Sequence, residues 1–285
     1  MSHLIKNGSS LLRIGNTIFG VRDNAMTIIT PVYGFSSPIG IALDTTNDRY
    51  YVCNYSGNTV RIMQKSTDTQ IGLITGFSRP YAIALDILAN DRYYVTNLIT
   101  DTVRIMQKST DTQIGLITGF SSPVGIALDT TNDRYYVTNS LNNTVRIMQK
   151  STDTQIGALI TGFSSPAGIA LDTTNDRYYV CNYSNNTVRI MQKSTDTQIG
   201  ALITGFSSPA GIALDIANDR YYVTSNSGNT VRIIQKSTDT QIGALITGFS
   251  GAYGIALDTA NDRYYVCNYS AAIGTTVAKV QTKIL

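Results

Sequence analysis

Short runs of aliphatic, aromatic and β-branched residues alternate along this chain with polar stretches carrying Asn, Asp, Ser, Pro and Gly. The stretch from Gly119 to Thr161, GFSSPVGIALDTTNDRYYVTNSLNNTVRIMQKSTDTQIGALIT, shows the pattern in full. Four β-type runs stand out in it: GIALD (Gly125 to Asp129), RYYVTN (Arg134 to Asn139), NTVRIMQK (Asn143 to Lys150) and TQIGALIT (Thr154 to Thr161). Turn signals separate them at Asn132-Asp133 and Ser151-Thr152-Asp153, and Ser122-Pro123 leads into the first run. No segment of useful length has helical period, so the pattern predicts a small antiparallel sheet of strands A to D. The small residues of strand A suit a place where strands from several sheets crowd together. The tyrosines and β-branched residues of strand B favour a pleated surface.

This unit recurs. Gly-Phe returns at Gly34, Gly76, Gly119, Gly162, Gly205 and Gly248, a spacing of 42 once and then 43 four times. A period of about 40 to 45 residues with four strands per unit is the signature of a β-propeller blade, whereas a solenoid needs shorter turns of chain. Length differences fit blades: Ala89 is an extra residue in one A–B turn, and Ala158, Ala201 and Ala244 are extra residues in strand D, where an outermost strand can absorb them as bulges. The sixth unit ends after a C-like run, TTVAKVQTKIL, and lacks strand D. Asn16 to Gly34 matches Asn58 to Gly76 in spacing, which puts Met26 to Val32 where a strand D belongs. The reading is an all-β, six-bladed propeller of four-stranded antiparallel blades, closed by an N-terminal strand that completes the last blade and removes exposed edges. Residues 1–15 read as a tail and 16–285 as one propeller domain with repeats starting at 34, 76, 119, 162, 205 and 248. Seven blades is the alternative, because Thr17 to Arg22 also resembles a strand C.

Tyr94 to Asn97 and Tyr136 to Asn139 spell YVTN, followed in the second case by NNTVRI and then, in the next unit, by a Pro-x-Gly-Ile-Ala-Leu-Asp strand. This resembles the YVTN family of β-propeller repeats, and the strand is similar to NHL repeats, over residues 34 to about 270. The resemblance implies a surface-layer, adhesive or binding protein, often exported. The motif becomes YVCN at Cys53, Cys181 and Cys267, and YVTS at Ser225.

Composition narrows the chemistry. Of 285 residues 42% are hydrophobic and 14% charged; every acidic residue is Asp, Trp is absent, and His3 is the single histidine. A net charge of +3 without a Lys or Arg run gives no electrostatic footprint for nucleic acid. No stretch of about 18 apolar residues predicts membrane insertion, and the N-terminus lacks the apolar core of a signal peptide, so the chain reads as soluble and unexported, against the implication of the resemblance. Propeller enzymes similar to this fold, calcium-dependent lactonases and zinc-dependent amidating lyases, rely on one-off Glu or His residues. Here neither type is at hand, so no catalytic residue, metal ligand or cofactor is assigned and a propeller hydrolase is the least favoured reading.

The repeated polar residues read as structure. The three cysteines occupy one slot in three blades, too far apart for a disulfide, and read as buried free thiols. Asp44, Asp86, Asp129, Asp172, Asp215 and Asp258 end strand A; a cation site is conceivable for them, but a turn-former accepting backbone hydrogen bonds explains a copy in every unit. The sixfold Asn-Asp-Arg triplet and the strand C arginines Arg61, Arg104, Arg146, Arg189 and Arg232 predict ion pairs between blades, since a catalytic site is normally unique. The Lys-Ser-Thr-Asp turn is a polar hairpin. Asn-x-Ser triplets at Asn54, Asn182 and Asn268 matter only in a secreted eukaryotic protein, and turn chemistry explains their repetition.

Where the copies differ is more informative. After strand B the loops read NYSGNT, NLITDT, NSLNNT, NYSNNT, SNSGNT and NYSAAIGTT, and before strand A they read SSPIG, SRPYA, SSPVG, SSPAG, SSPAG and SGAYG. In a four-stranded meander the B–C and D–A loops share one face of the disc, so the variation is one-sided. The candidate ligand-binding residues on that face are Tyr55, Arg79, Tyr81, Leu98, Ile99, Leu141, Tyr183, Tyr253 and Tyr269. They point to a non-enzymatic recognition or scaffold module for a protein or a glycan. A structural subunit of a surface layer, filament or virion, self-associating as a homo-oligomer, and a multivalent lectin with a pocket in each blade are the alternatives.

Overall fold

The computed structural model describes residues 3–6, 9–14, 17–22, 25–86, 91–270 and 276–284, and side chains within 30–86, 91–270 and 276–281. Six antiparallel sheets form the six blades of a propeller. In blade 1 strands A to D are Pro38–Asp44, Arg49–Asn54, Thr59–Gln64 and Gln70–Ile74, and the later blades repeat this order. Blade 6 combines Ala252–Asp258, Arg263–Asn268 and Thr276–Ile284 with an N-terminal strand.

That N-terminal strand is one of four: β1 (His3–Lys6), β2 (Ser9–Ile14), β3 (Thr17–Arg22) and β4 (Ala25–Val32). β4 pairs with Thr276–Ile284 from Val277↔Val32 to Ile284↔Ala25, closing the ring as the sequence predicts. The seven-blade alternative fails at β3. Its C-like residues pair with β4 through Val21↔Met26 and extend the outside of blade 6 instead of opening a further blade. β2 and β1, from the stretch read as a tail, continue that sheet outward. Among the described residues no helix is long and apolar enough to cross a membrane.

The double tyrosine of strand B builds the core between blades. The second tyrosine of each blade meets the first of the next: Tyr51–Tyr93, Tyr94–Tyr135, Tyr136–Tyr178, Tyr179–Tyr221, Tyr222–Tyr264 and, closing the circle, Tyr265–Tyr50, with ring centroids 5.1–5.3 Å apart. All twelve rings are buried, and tilted aromatic pairs at this separation add about 0.5–1.5 kcal/mol each beyond their area. Burial also pushes the phenols of Tyr51, Tyr94, Tyr136, Tyr179 and Tyr265 up to about 12.

Strand A lines the axis, where neighbouring backbones nearly touch. A Cβ added at Gly168 would lie 2.5 Å from the Ala210 carbonyl oxygen, so only glycine fits there without displacement. The third residue of the YVTN motif explains a further tie. Thr138 Oγ1 accepts from Gly125 N–H (2.6 Å) and donates to the Ala167 carbonyl of the next blade (2.7 Å), and Thr224 bridges Gly211 to Tyr253 in the same way. Thr96 does so at 3.2 Å to Val124, in the blade that carries Ala82 in place of glycine. Cys53, Cys181 and Cys267 fill this slot as free, buried thiols, whose ionisation burial suppresses.

The extra residues of strand D act as foreseen for Ala158, Ala201 and Ala244. Gly157, Gly200 and Gly243 beside them take φ of 65–66°, the register slips between Val145 and Ile147, and in blade 4 the strand reduces to the bridges Val188–Ile203 and Met191–Gln198. Ala89 lies outside the described residues.

Candidate functional site

The two faces of the disc have different chemistry. On the lower face, carrying the A–B and C–D turns, the strand A aspartates do form turns. Asp129 accepts from Asn132 N–H (3.2 Å) and its side-chain amide (2.9 Å), and Asp44, Asp172 and Asp215 repeat this. They also carry the ion pairs between blades, a role expected of Arg. Lys65–Asp258 (3.0 Å), Lys108–Asp44 (3.5 Å), Lys150–Asp86 (2.7 Å), Lys193–Asp129 (2.7 Å) and Lys236–Asp172 (2.6 Å) each join a lysine after strand C to the preceding blade. Geometry decides for Lys: its side chain leaves the turn toward the neighbour. Asp215 has no such lysine, since Thr282 follows Gln281 where Lys236 follows Gln235, and it pairs with Arg220 of its own blade at 3.3 Å.

Arg correspondingly does other work. Arg61, Arg104, Arg146, Arg189 and Arg232 lie over the rings of Phe35, Phe77, Phe120, Phe163 and Phe206, 4.6–5.2 Å from their centroids. Arg146 also donates to the Gly119 carbonyl at 2.8 Å. The Asp of Asn-Asp-Arg ties turn to turn within one blade: Asp48 accepts from Ser66 Oγ (2.5 Å) and Gln64 Nε2 (3.0 Å), and these bonds hold its carboxyl below the usual range. All six strand A carboxylates, Asp44, Asp86, Asp129, Asp172, Asp215 and Asp258, are thus engaged by Asn, Lys or Arg. The described residues contain no group of three or more His, Cys, Asp or Glu that could hold a metal ion.

On the upper face the B–C loops lock onto the D–A links. Asn54 accepts from Ser36 N–H with its carbonyl and donates to Thr59 Oγ1 with its amide. The equivalents at Asn182 and Asn268 are bonded likewise, and all three are buried, so these side chains are structural. The last loop residue reaches the next blade: Asn58, Asp101, Asn143, Asn186 and Asn229, all at φ of 53–61°, accept from Arg79, Ser122, Ser165, Ser208 and Gly251 N–H. Asn and Asp are the residues best suited to a left-handed turn position that must also accept a backbone hydrogen bond, which explains the repeated loop chemistry.

Within this frame two positions per blade vary beside the axis. The residue after Pro is Ile39, Tyr81, Val124, Ala167, Ala210 or, after Ala252, Tyr253; the residue after strand B is Tyr55, Leu98, Ser140, Tyr183, Asn226 or Tyr269. Together they shape a bowl of about 570 Å³ at the mouth of the channel, lined by Tyr55, Tyr81, Leu98, Leu141, Tyr183, Tyr253 and Tyr269, seven of the nine residues expected from sequence. The tyrosines touch one another: Tyr55 meets Tyr81 (6.1 Å) and Tyr269 (6.0 Å) edge to face, Tyr253 meets Tyr81 (5.8 Å) and Tyr269 (5.5 Å), and Tyr183 stacks on Tyr253 (6.4 Å). Burial pushes Tyr81 and Tyr253 well above the usual tyrosine range, with the neighbouring phenols adding to it at Tyr81, while the hydrogen bond with Tyr81 partly offsets it at Tyr253.

Arg79 and Ile99 do not line the bowl. Arg79 lies over Tyr55 (5.2 Å) and donates to its phenol oxygen (3.2 Å), while Ile99 stands 55% exposed on a loop. Sequence reasoning passed over the polar wall, Ser122, Ser140, Asn143, Ser165 and Ser184, and Asn226, which accepts the Tyr183 phenol proton at 3.1 Å. Asn226 was readable, because it fills the slot that is Tyr in three other copies. Ser140 was readable for the same reason, whereas Ser122, Ser165 and Ser184 carried no signal, being common to most repeats. Below the bowl the channel narrows to about 190 Å³ lined by Ile, Gly, Val and Ala of strand A together with Tyr81 and Tyr253.

Comparison with known proteins bears on the fold. The NHL repeat family matches residues 163–191. The chain is similar in structure to U3-55K (10% identity, TM-score 0.70, covering 89% of this chain and 98% of that one) and to the WD40 repeats of RRP9 (10%, 0.71, 90% and 97%). Hydrazine synthase of Kuenenia stuttgartiensis is similar to the same degree (14%, 0.68, 88% and 97%). No curated protein matches by sequence. The chain is an NHL-like β-propeller repeat protein. One of these structures is an enzyme, so the fold by itself does not separate catalysis from binding.

Proposed function

We propose that this propeller is a non-enzymatic recognition module that holds a protein or glycan partner on its upper face. The observation that carries this reading is where most of the variation falls: near-identical copies keep the Lys–Asp pairs of the lower face, whose A–B turns change only in the residues before Asn-Asp-Arg, and differ most where the bowl is built. Tyr, Ser, Asn and Gly dominate its loops, the composition by which rigid aromatic anchors and adaptable hydrogen-bonding groups recognise partners. The channel below offers apolar side chains and two tyrosines, with no carboxylate, imidazole or amine to move a proton. Six unlike positions around one axis favour a single site over a pocket in each blade. The test is a photo-crosslinking residue placed at Leu141 on the upper face or at Thr110 on the lower. Crosslinking of a partner from Leu141 and not from Thr110 is expected; crosslinks from Thr110 alone, or from neither position, sink the reading.

A second reading, self-association through the perimeter, is favoured by one observation. Ile71, Leu73, Ile114 and Leu116 are exposed by 48–54% on the outer strands of blades 1 and 2, against 37–42% for Leu159, Leu202 and Leu245 of blades 3 to 5, which carry the extra alanine. Inserting Ala after Gly72 and after Gly115 gives blades 1 and 2 the strand D sequence of blades 3 to 5. Sedimentation of wild type as an assembly and of this variant as a monomer is the expected result; identical sedimentation of the two removes the reading.

A further inference from the structure

We infer that the upper bowl binds one uncharged saccharide per propeller, an inference that rests on the recognition reading above. The lining contains no charged side chain, so nothing in it compensates a carboxylate, sulfate or ammonium drawn from water. Its two walls differ in kind. Tyr55, Tyr81 and Tyr253 gather on one arc as apolar surfaces with hydroxyl tips, while the other, beside Leu141 and Tyr183, adds the Ser140 hydroxyl, the Asn143 amide, whose carbonyl is held by Ser165 N–H, and Ser184, whose hydroxyl donates to Ser165 and keeps its acceptor side. A pyranose has the same two-sidedness: apolar C–H faces and a rim of hydroxyls that need donors and acceptors at once. An aliphatic or aromatic side chain of similar bulk would match the tyrosine arc and strip water from the polar arc without replacing its hydrogen bonds. The volume of about 570 Å³ falls within the range of about 300–1,000 Å³ typical of small-ligand sites. The narrower channel beneath, about 190 Å³ and lined chiefly by Ile and Gly, offers a sugar no polar side chain besides the tyrosines at its mouth, so the ligand stops in the bowl.

The site is single for a reason written in the repeats. The two axial positions of blade 5 are Ala210 and Asn226, those of blade 6 are Tyr253 and Tyr269, and no two neighbouring blades present the same pair. Blade 5 thereby supplies substitutions already compatible with the fold. In Tyr253→Ala and Tyr55→Asn the bowl takes the residues that blade 5 has at those slots. Ser184→Trp, at an exposed position, instead fills it.

The experiment is an array of neutral gluco-, manno-, galacto- and N-acetylglucosamine oligosaccharides beside sialylated and sulfated ones, followed by calorimetry of the strongest neutral hit. The expected result is binding of a neutral glycan with one site per chain, unchanged between low and high salt. Each of the three variants should weaken it at least tenfold, and Tyr55→Asn and Ser184→Trp should do so while keeping the wild-type melting curve. Recognition of charged glycans alone, a stoichiometry near six, affinity retained in Ser184→Trp, or no glycan binding overturns the inference. If no glycan binds and a protein crosslinks from Leu141, this inference falls and the recognition reading stands. If both are negative, both fall.

Discussion

The lower and upper faces of this disc are made by the same six repeats, yet the first keeps its pairing residues in nearly every copy and the second does not. Below, Lys193 and Asp129 meet at 2.7 Å, almost wholly buried, and the pair recurs around the ring except where Thr282 follows Gln281. Above, the backbone frame of Asn-capped loops is equally regular, but the side chains that face the axis differ from blade to blade. The difference shows what repetition can and cannot vary. A buried charge cannot lose its partner cheaply, so each lower-face pair is fixed by its neighbour. A side chain at the rim of a bowl touches water on one side, and change there is tolerated until a ligand makes it matter.

The largest expected effect comes from breaking the lower face. Lys193→Met leaves Asp129 buried and unpaired, and chemical denaturation should show a loss of about 3–5 kcal/mol. If the loss is under about 1 kcal/mol, the Lys–Asp ring is ornament and the contrast between the faces collapses. The same pair sets an acid limit. Burial raises the Asp129 and Asp172 carboxyls, but bonds from lysine and asparagine outweigh it and hold both below the usual range. A folded-state value below the unfolded one, about 3.9, gives stability that is complete above that pH and lost as pH falls through the folded value. Melting temperature should therefore drop below about pH 4, and the gap between wild type and Lys193→Met should narrow there, because a protonated Asp129 needs no ammonium. A gap that is constant from pH 7 to 3 contradicts this.

Smaller effects probe the axis. Gly168→Ala presses a methyl against the Ala210 carbonyl and should cost about 1–3 kcal/mol, unless the seam loosens as it has beside Ala82. Exchange in the YVTN slot should be milder: Cys181→Thr supplies the bridge that Thr138 makes and should add about 0.5–1.5 kcal/mol, read as a raised melting temperature. The smallest change belongs to the upper face. Leu141→Asn, at 74% exposure, should leave stability within about 0.5 kcal/mol. A large loss there would make Leu141 structural and erase the distinction between the faces.

Much of the fold could be read before any coordinate. Alternation of period two, turn residues at fixed offsets and a 43-residue return define blades, and the likeness of Asn16–Gly34 to Asn58–Gly76 identifies β4 as the closing strand. The site was legible in part. Tyr55, Tyr81, Tyr183, Tyr253 and Tyr269 stood out by residue type, but Ser165 and Ser184 did not, because a serine in a loop looks alike whether it faces bulk water or a bowl. Arg79 misled for the opposite reason: its charge marks it as a contact residue, yet its guanidinium lies on Tyr55.

Local sequence, then, determined the strands, the turns, the number of blades and the face on which copies diverge, because each depends on residues a few positions apart or on the repeat itself. Tertiary structure alone decided who pairs with whom across blades. That lysine and not arginine meets the strand A aspartates, that Thr138 reaches Ala167, and that five tyrosines from four blades converge on one bowl are consequences of ring closure. Closure brings together residues tens to hundreds of positions apart, at distances and angles no local pattern encodes.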